Sequence, residues 1–125
     1  MATLSAYASP EELGPNATFW AKRQRSYKGD KAILDMAARY GMPVHSKEDL
    51  VRVSQELQAR AYAMAIAAHK VAWPYCMGTL LWQLNDIWPG PSWSIVDHAG
   101  RRKLAFEAVR KAYAPEQEAA TPAHR

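Results

Sequence analysis

Cysteine is nearly absent from this chain of 125 residues, and the single Cys76 excludes both an internal disulfide and a metal site built from several cysteines. The four histidines lack the spacing of metal ligands, and no glycine-rich phosphate loop is present. No apolar run reaches the ~18 residues that a membrane-spanning helix needs, because Pro74, Gly78 and Gln83 interrupt the best candidate, residues 71–84. We therefore expect no metal, no cofactor and no membrane partner.

Charge of one sign is not concentrated either. Sixteen Lys and Arg residues oppose twelve Asp and Glu residues, which gives a formal net charge of +4. The basic residues are spread out apart from two short clusters, 22–25 and 101–103, whereas nucleic-acid-binding domains often carry a larger, one-sided excess. We interpret both clusters as solvated surface and expect no nucleic-acid partner. The alternative for the cluster at 101–103 is an ion pair with an acid. Nothing in the sequence indicates a compartment.

Tryptophan is the residue in excess. The chain has five, and four of them lie between positions 73 and 93: Trp73, Trp82, Trp88 and Trp93. Because tryptophan is highly buried on average, the first interpretation is that these residues belong to a core. The alternative is a sugar platform, since pockets for small ligands combine apolar aromatic faces with a few polar groups.

Capping residues and apolar periodicity predict mainly helices. Asp30 begins one that Gly41 ends, Ser46 begins the longest one, and residues 100–114 form the last. The longest helix has an apolar stripe from Leu50 to Val71. Shorter helical segments are predicted at 9–13 and 16–24, and the tail 116–125 is predicted to be disordered.

Residues 77–84 predict one strand. Their apolar character is continuous rather than alternating, which is typical of a strand buried on both faces of a parallel sheet. Such a strand needs hydrogen-bonded neighbours on both sides, and this chain does not supply them. The predicted fold class is therefore α/β, as one part of a larger domain.

Catalysis by two carboxylates is not predicted within this chain. Glycoside cleavage requires two carboxyl groups ~5–10 Å apart across the scissile bond. Only Asp86 and Asp97 flank the aromatic segment, and Asp97 is better interpreted as a turn residue before Gly100. We name no catalytic residue.

A long motif carries a resemblance to a known family. Residues 78–86 are Gly-Thr-Leu-Leu-Trp-Gln-Leu-Asn-Asp, followed by Trp88-Pro89 and by Ser92-Trp93-Ser94. This motif resembles the segment around the last barrel strand of β-mannosidases of glycoside hydrolase family two, and the similarity covers most of residues 1–115.

The resemblance implies the C-terminal portion of a (β/α)8 TIM barrel, mostly helical with one buried strand. It implies retaining hydrolysis of terminal β-mannosyl residues by two glutamates that lie outside this chain, so the isolated chain would be inactive. The implied substrate-binding residues are Trp82 as a wall of the sugar subsite, with Asn85, Asp86 and Trp88 at or near it. The implied partners are a β-mannoside or related carbohydrate, and the remainder of the barrel or a second copy. The alternative is a non-catalytic carbohydrate-binding or helical interaction module.

Overall fold

The computed structural model describes residues 2–13, 22–23 and 27–115. Within these ranges the chain forms four helices, in the order α1 (Ala2–Ser5), α2 (Lys31–Arg39), α3 (Lys47–Val71) and α4 (Leu104–Tyr113). The helix predicted at 16–24 and the predicted disordered tail lie outside the described residues, apart from positions 22 and 23. The described helices include none that is long and apolar enough to cross a bilayer.

The C-terminal end of α2 and the start of α3 follow their predicted signals, whereas the side chain of Asp30 makes no capping hydrogen bond at the start of α2. After α2, the amide of Gly41 donates to the carbonyl of Ala38 at 3.1 Å, and that of Met42 donates to Ala37 at 2.9 Å. This pair of bonds requires a left-handed residue at Gly41, whose φ is +64°, and glycine adopts that conformation without steric cost. At the start of α3, the Ser46 side chain accepts a hydrogen bond from the Asp49 amide at 3.0 Å.

The core lies where α3 packs against α4. Its buried members are Ile66 of α3, Ile95 of the connecting segment, and Ala105 and Val109 of α4. The apolar stripe predicted for α3 is buried only in part: Val53 is buried, but Met64 is 67% exposed. In the far half of α3, the face that carries Ile66 packs against α4, whereas the face that carries Met64 is left in solvent.

The predicted α/β class and the buried strand at 77–84 are wrong. The described residues are helical and contain no strand; the bridges Asn85–Val96 and Val96–Arg102 are isolated. Leu80, at the centre of the predicted strand, is completely exposed. The physical reason is that a strand exists only through its hydrogen-bonded neighbours, and none lies beside residues 77–81 here. The described residues therefore show no portion of a (β/α)8 TIM barrel.

We expect the α3–α4 core to dominate the stability of the chain. Ile66→Ala should lower the free energy of unfolding by about 2–5 kcal/mol, because Ile66 is almost fully buried in this cluster. Met64→Ala on the exposed side of the same helix is the control and should change it by less than about 0.5 kcal/mol. Urea unfolding followed by circular dichroism measures both. Equal effects of the two substitutions would contradict the assigned core.

Candidate functional site

The aromatic loop, defined as residues 85–93, is closed at its base by backbone hydrogen bonds. The Asp86 amide donates to the carbonyl of Val96 at 3.0 Å, and the Val96 amide donates to Leu84 at 2.9 Å. The Lys103 amide in turn donates to the carbonyl of Ile95 at 2.9 Å. The loop is thus tied to the start of α4 through the segment that contributes Ile95 to the core.

A buried ion pair lies inside this closure. The Lys103 Nζ is 3.0 Å from Asp86 Oδ2, and the two side chains are 14% and 4% exposed. The Ser92 hydroxyl donates to Asp86 Oδ1, while Lys103 Nζ donates to the hydroxyls of Ser94 at 2.8 Å and Ser92 at 3.3 Å. Both charges therefore have several hydrogen-bond partners, as buried charges require.

The four predicted substrate-binding residues do not share one environment. Trp82 is 74% exposed, Asn85 is exposed and Trp88 is half-buried, whereas Asp86 is buried. The carbonyl of Trp82 accepts a hydrogen bond from the Tyr62 hydroxyl at 2.9 Å, which ties the backbone of Trp82 to α3. The structure therefore presents indole and amide groups to solvent and turns the carboxylate inward.

Burial separates the two interpretations of the tryptophans. Trp73, Trp82 and Trp93 are each more than half exposed, and the buried core clusters contain none of them. The prediction that these three residues are core is wrong. Trp93 is held through its backbone, because the Gln58 side-chain amide donates to its carbonyl at 2.9 Å.

A cavity of about 470 Å³ lies beside the aromatic loop. Residues of α1, α3 and the loop line it, among them Thr3, Gln55, Ser92, Trp93 and Asp97. Asp86 also lines it, but Trp82, Asn85 and Trp88 do not. The cavity therefore adjoins the aromatic loop at the exposed Trp93 as well as at the buried ion pair of Asp86 and Lys103, while Trp82 lies outside its lining.

Asp97 holds the turn before α4 to the N-terminal helix. Its carboxylate accepts hydrogen bonds from the Thr3 hydroxyl and from the amides of Ala99 and Arg101, at 2.9 and 2.8 Å for the two amides. Partial burial raises the pKa of Asp97, but the hydrogen bonds from Thr3 and the two amides outweigh it, so the pKa lies below its usual value. The structure thus bears out a turn role for Asp97.

Reasoning from the sequence gave no role to Ser92 and Ser94, and it offered an ion pair only as the alternative for the cluster that contains Lys103. Lys103 belongs to the basic cluster interpreted as solvated surface, and that interpretation is wrong for this residue because its ammonium is buried against Asp86. The available signal was a basic residue at the start of a helix, where the dipole disfavours a cation unless an anion compensates it. The described residues contain no group of three or more His, Cys, Asp or Glu side chains that could hold a metal ion.

Comparisons with known proteins agree on one enzyme. No family model matches the chain. Over 73 residues, 54% of this chain, it is 42% identical to β-mannosidase B of Thermothelomyces thermophilus, and over 90% of its length it is 27% identical to β-mannosidase of Mus musculus. The crystal structure of β-D-mannosidase from Dictyoglomus thermophilum superposes on 90% of this chain with a TM-score of 0.83 at 25% identity. The chain resembles part of a β-mannosidase.

The resemblance to β-mannosidases inferred from the motif is thereby confirmed. The chain spans only 8% of the length of the fungal β-mannosidase and 14% of the mouse and D. thermophilum proteins. A match of this extent supports an origin shared with these glycoside hydrolases. The match covers too little of these proteins for the activity of a complete enzyme to be assigned to this chain.

We expect the contribution of Asp97 to stability to depend on pH. Because its pKa is lowered by folding, the contribution is present above the unfolded value of about 3.9 and is lost as the pH falls through the lower folded value. The difference in unfolding free energy between the wild type and Asp97→Asn should therefore shrink below about pH 4. Asp35→Asn, which removes an exposed ion pair with Lys31, is the control and should cost less than about 1 kcal/mol. A difference for Asp97→Asn that grows on acidification would contradict the assignment.

Proposed function

We propose that this chain is part of a β-mannosidase-like glycoside hydrolase that removes terminal β-mannosyl residues with retention. Its residues 1–115 supply an aromatic wall of the sugar subsite and neither catalytic glutamate. The observation that carries the proposal is the similarity to β-mannosidases over 90% of this chain. It is combined with an exposed face inside the matching motif, formed by Trp82 and Asn85.

The exposed face has the chemistry that a sugar requires. The C–H faces of a pyranose ring pack on an indole, and its hydroxyl groups bind to amides and carbonyls. Trp82 offers a largely exposed indole, and Asn85 offers an amide two residues beyond the cis peptide bond Trp82–Gln83. Trp88 follows on the aromatic loop. A β-mannoside or a related carbohydrate is the proposed ligand.

The carboxylates around the loop are already engaged in structural contacts. Asp86 binds Lys103 and Ser92, and Asp97 accepts three hydrogen bonds that fix the turn before α4. Both carboxylates are thus held by protein groups, although glycoside cleavage requires a pair of carboxyl groups that act on the substrate. This arrangement supports the proposal that the reacting glutamates lie on another part of the hydrolase.

A chimeric enzyme tests the wall directly. Residues 1–115 would replace the matched segment of D. thermophilum β-mannosidase, and hydrolysis of a chromogenic β-mannoside would be measured. Trp82→Ala in this chimera should lower kcat/KM by about 10- to 100-fold, because an indole contact with the sugar is lost. Trp73→Ala, which removes another exposed tryptophan outside the matching motif, is the control and should leave kcat/KM unchanged. A folded chimera without hydrolysis, or equal losses in both variants, would contradict the proposal.

A non-catalytic carbohydrate-binding or helical interaction module is the second candidate. It is favoured by the exposure of Trp82 and Trp93 in the chain by itself. The two functions differ in what the isolated chain does.

The isolated chain should neither hydrolyse a chromogenic β-mannoside nor bind manno-oligosaccharides saturably, because one wall buries too little of a sugar. Tryptophan fluorescence during a titration measures the binding. Saturable binding that Trp82→Ala abolishes and Trp73→Ala preserves would favour the module. Turnover that Asp86→Ala abolishes would show that a catalytic carboxylate lies in this chain after all.

A further inference from the structure

Side-chain contacts fix the aromatic loop in addition to the backbone hydrogen bonds at its base. Asp86 stands near its start and Ser92 near its end, and the hydroxyl of Ser92 donates directly to the carboxylate of Asp86. Lys103 immediately precedes α4, and its ammonium contacts both Asp86 and Ser92. It also donates a hydrogen bond to Ser94, just beyond the loop. One ammonium group thus connects both ends of the loop to a helix of the core.

The tip of the loop is held independently. Arg23 Nη1 donates to the carbonyl of Pro89 at 2.9 Å. A Cβ atom at Gly90 would lie 3.0 Å from the Cβ of Arg23 and 3.6 Å from Cδ1 of Trp88, so the close approach there depends on glycine. The tip therefore has its own support, and Gln58 of α3 binds the carbonyls of Trp93 and Ser94 at the far end. The side-chain connection between the two ends of the loop is the group at Lys103.

We propose that Lys103 is a positioning residue: its buried ion pair with Asp86, completed by Ser92 and Ser94, sets the conformation of the aromatic loop that carries Asn85 and Trp88. Asp86 acts in the same way, by holding the loop rather than by contact with a ligand. The consequence for sugar recognition rests on the proposed function, whereas the effect on the loop does not.

The alternative role for such a pair is general stability of the fold. The geometry favours a local role, because Lys103, Asp86, Ser92 and Ser94 all lie between the start of the loop and the start of α4, and none lies on α3. The amides that report on the loop are also local: those of Asp86, Ile95 and Val96 donate to carbonyls within the closure. The amides of α3 around Val53 report on the fold as a whole.

Hydrogen exchange at individual amides, followed by NMR on the full chain, tests the proposal. Lys103→Met keeps the aliphatic stem and leaves the carboxylate of Asp86 buried without its cation. The amides of Asp86, Ile95 and Val96 should then exchange about 10- to 100-fold faster, while those around Val53 stay as in the wild type. The indole resonances of Trp88 and Trp93 should shift, and that of Trp73 should not.

Two further variants make the outcome specific. Lys70→Met is the matched control, because Lys70 is exposed and its ammonium donates only to the carbonyl of Ala114, at 3.0 Å, among the contacts described; it should leave the loop amides unchanged. Asp86→Asn in the Lys103→Met background removes the unpaired charge and should restore part of the slow exchange, as coupled sites require.

The proposal is overturned by either of two results. Unchanged exchange in Lys103→Met would show that the pair does not hold the loop. Equal acceleration in the loop and in α3 would show that it stabilises the whole fold instead. If Lys103→Met does not fold, Ser92→Ala removes the hydroxyl that joins the two ends and should produce the same local pattern, more weakly. None of these measurements uses a sugar, so a failure of the proposed function in the chimera remains separately visible.

Discussion

A carboxylate can be buried only where its charge is compensated, and in this chain that condition is met at Asp86. The cation is the ammonium of Lys103. The hydroxyl of Ser92 donates a further hydrogen bond to Asp86, and that of Ser94 accepts one from Lys103. Because Lys103 stands at the start of α4, the compensated pair also connects the aromatic loop to the α3–α4 core. The amide of Asn85 and the indole of Trp93 thus lie on a loop that this pair supports together with the backbone hydrogen bonds at its base.

The helices were predictable because their signals are local. Ser46 caps α3 as expected, and Gly41 ends α2 with the left-handed conformation that favours glycine. The strand predicted at 77–84 is wrong because an apolar run indicates burial only if other chain segments provide it. Here they do not, and Leu80 is left in solvent. The periodic stripe of α3 failed at Met64 for the same reason.

The candidate site was predictable in its residue types and not in its internal geometry. The motif from Gly78 to Asp86 identified the resemblance to β-mannosidases, which the comparisons confirm. It grouped Asp86 with the exposed residues Trp82 and Asn85, although the structure buries Asp86 away from them. The missing information was the partner of Asp86, which lies seventeen positions later in the sequence and belongs to a cluster that composition alone marks as surface.

The residues of the motif fall into an exposed group and a buried group. Trp82 and Asn85 are exposed, whereas Asp86 is buried and bonded to Ser92. A binding face gains affinity when its groups are held in place before the ligand arrives, because less conformational entropy is lost on binding. Under the proposed function, the compensated pair of Asp86 and Lys103, which joins the ends of the aromatic loop, would provide that order. We therefore interpret the acidic residue of the motif, Asp86, as one that holds the loop, in line with the proposed positioning role of Lys103.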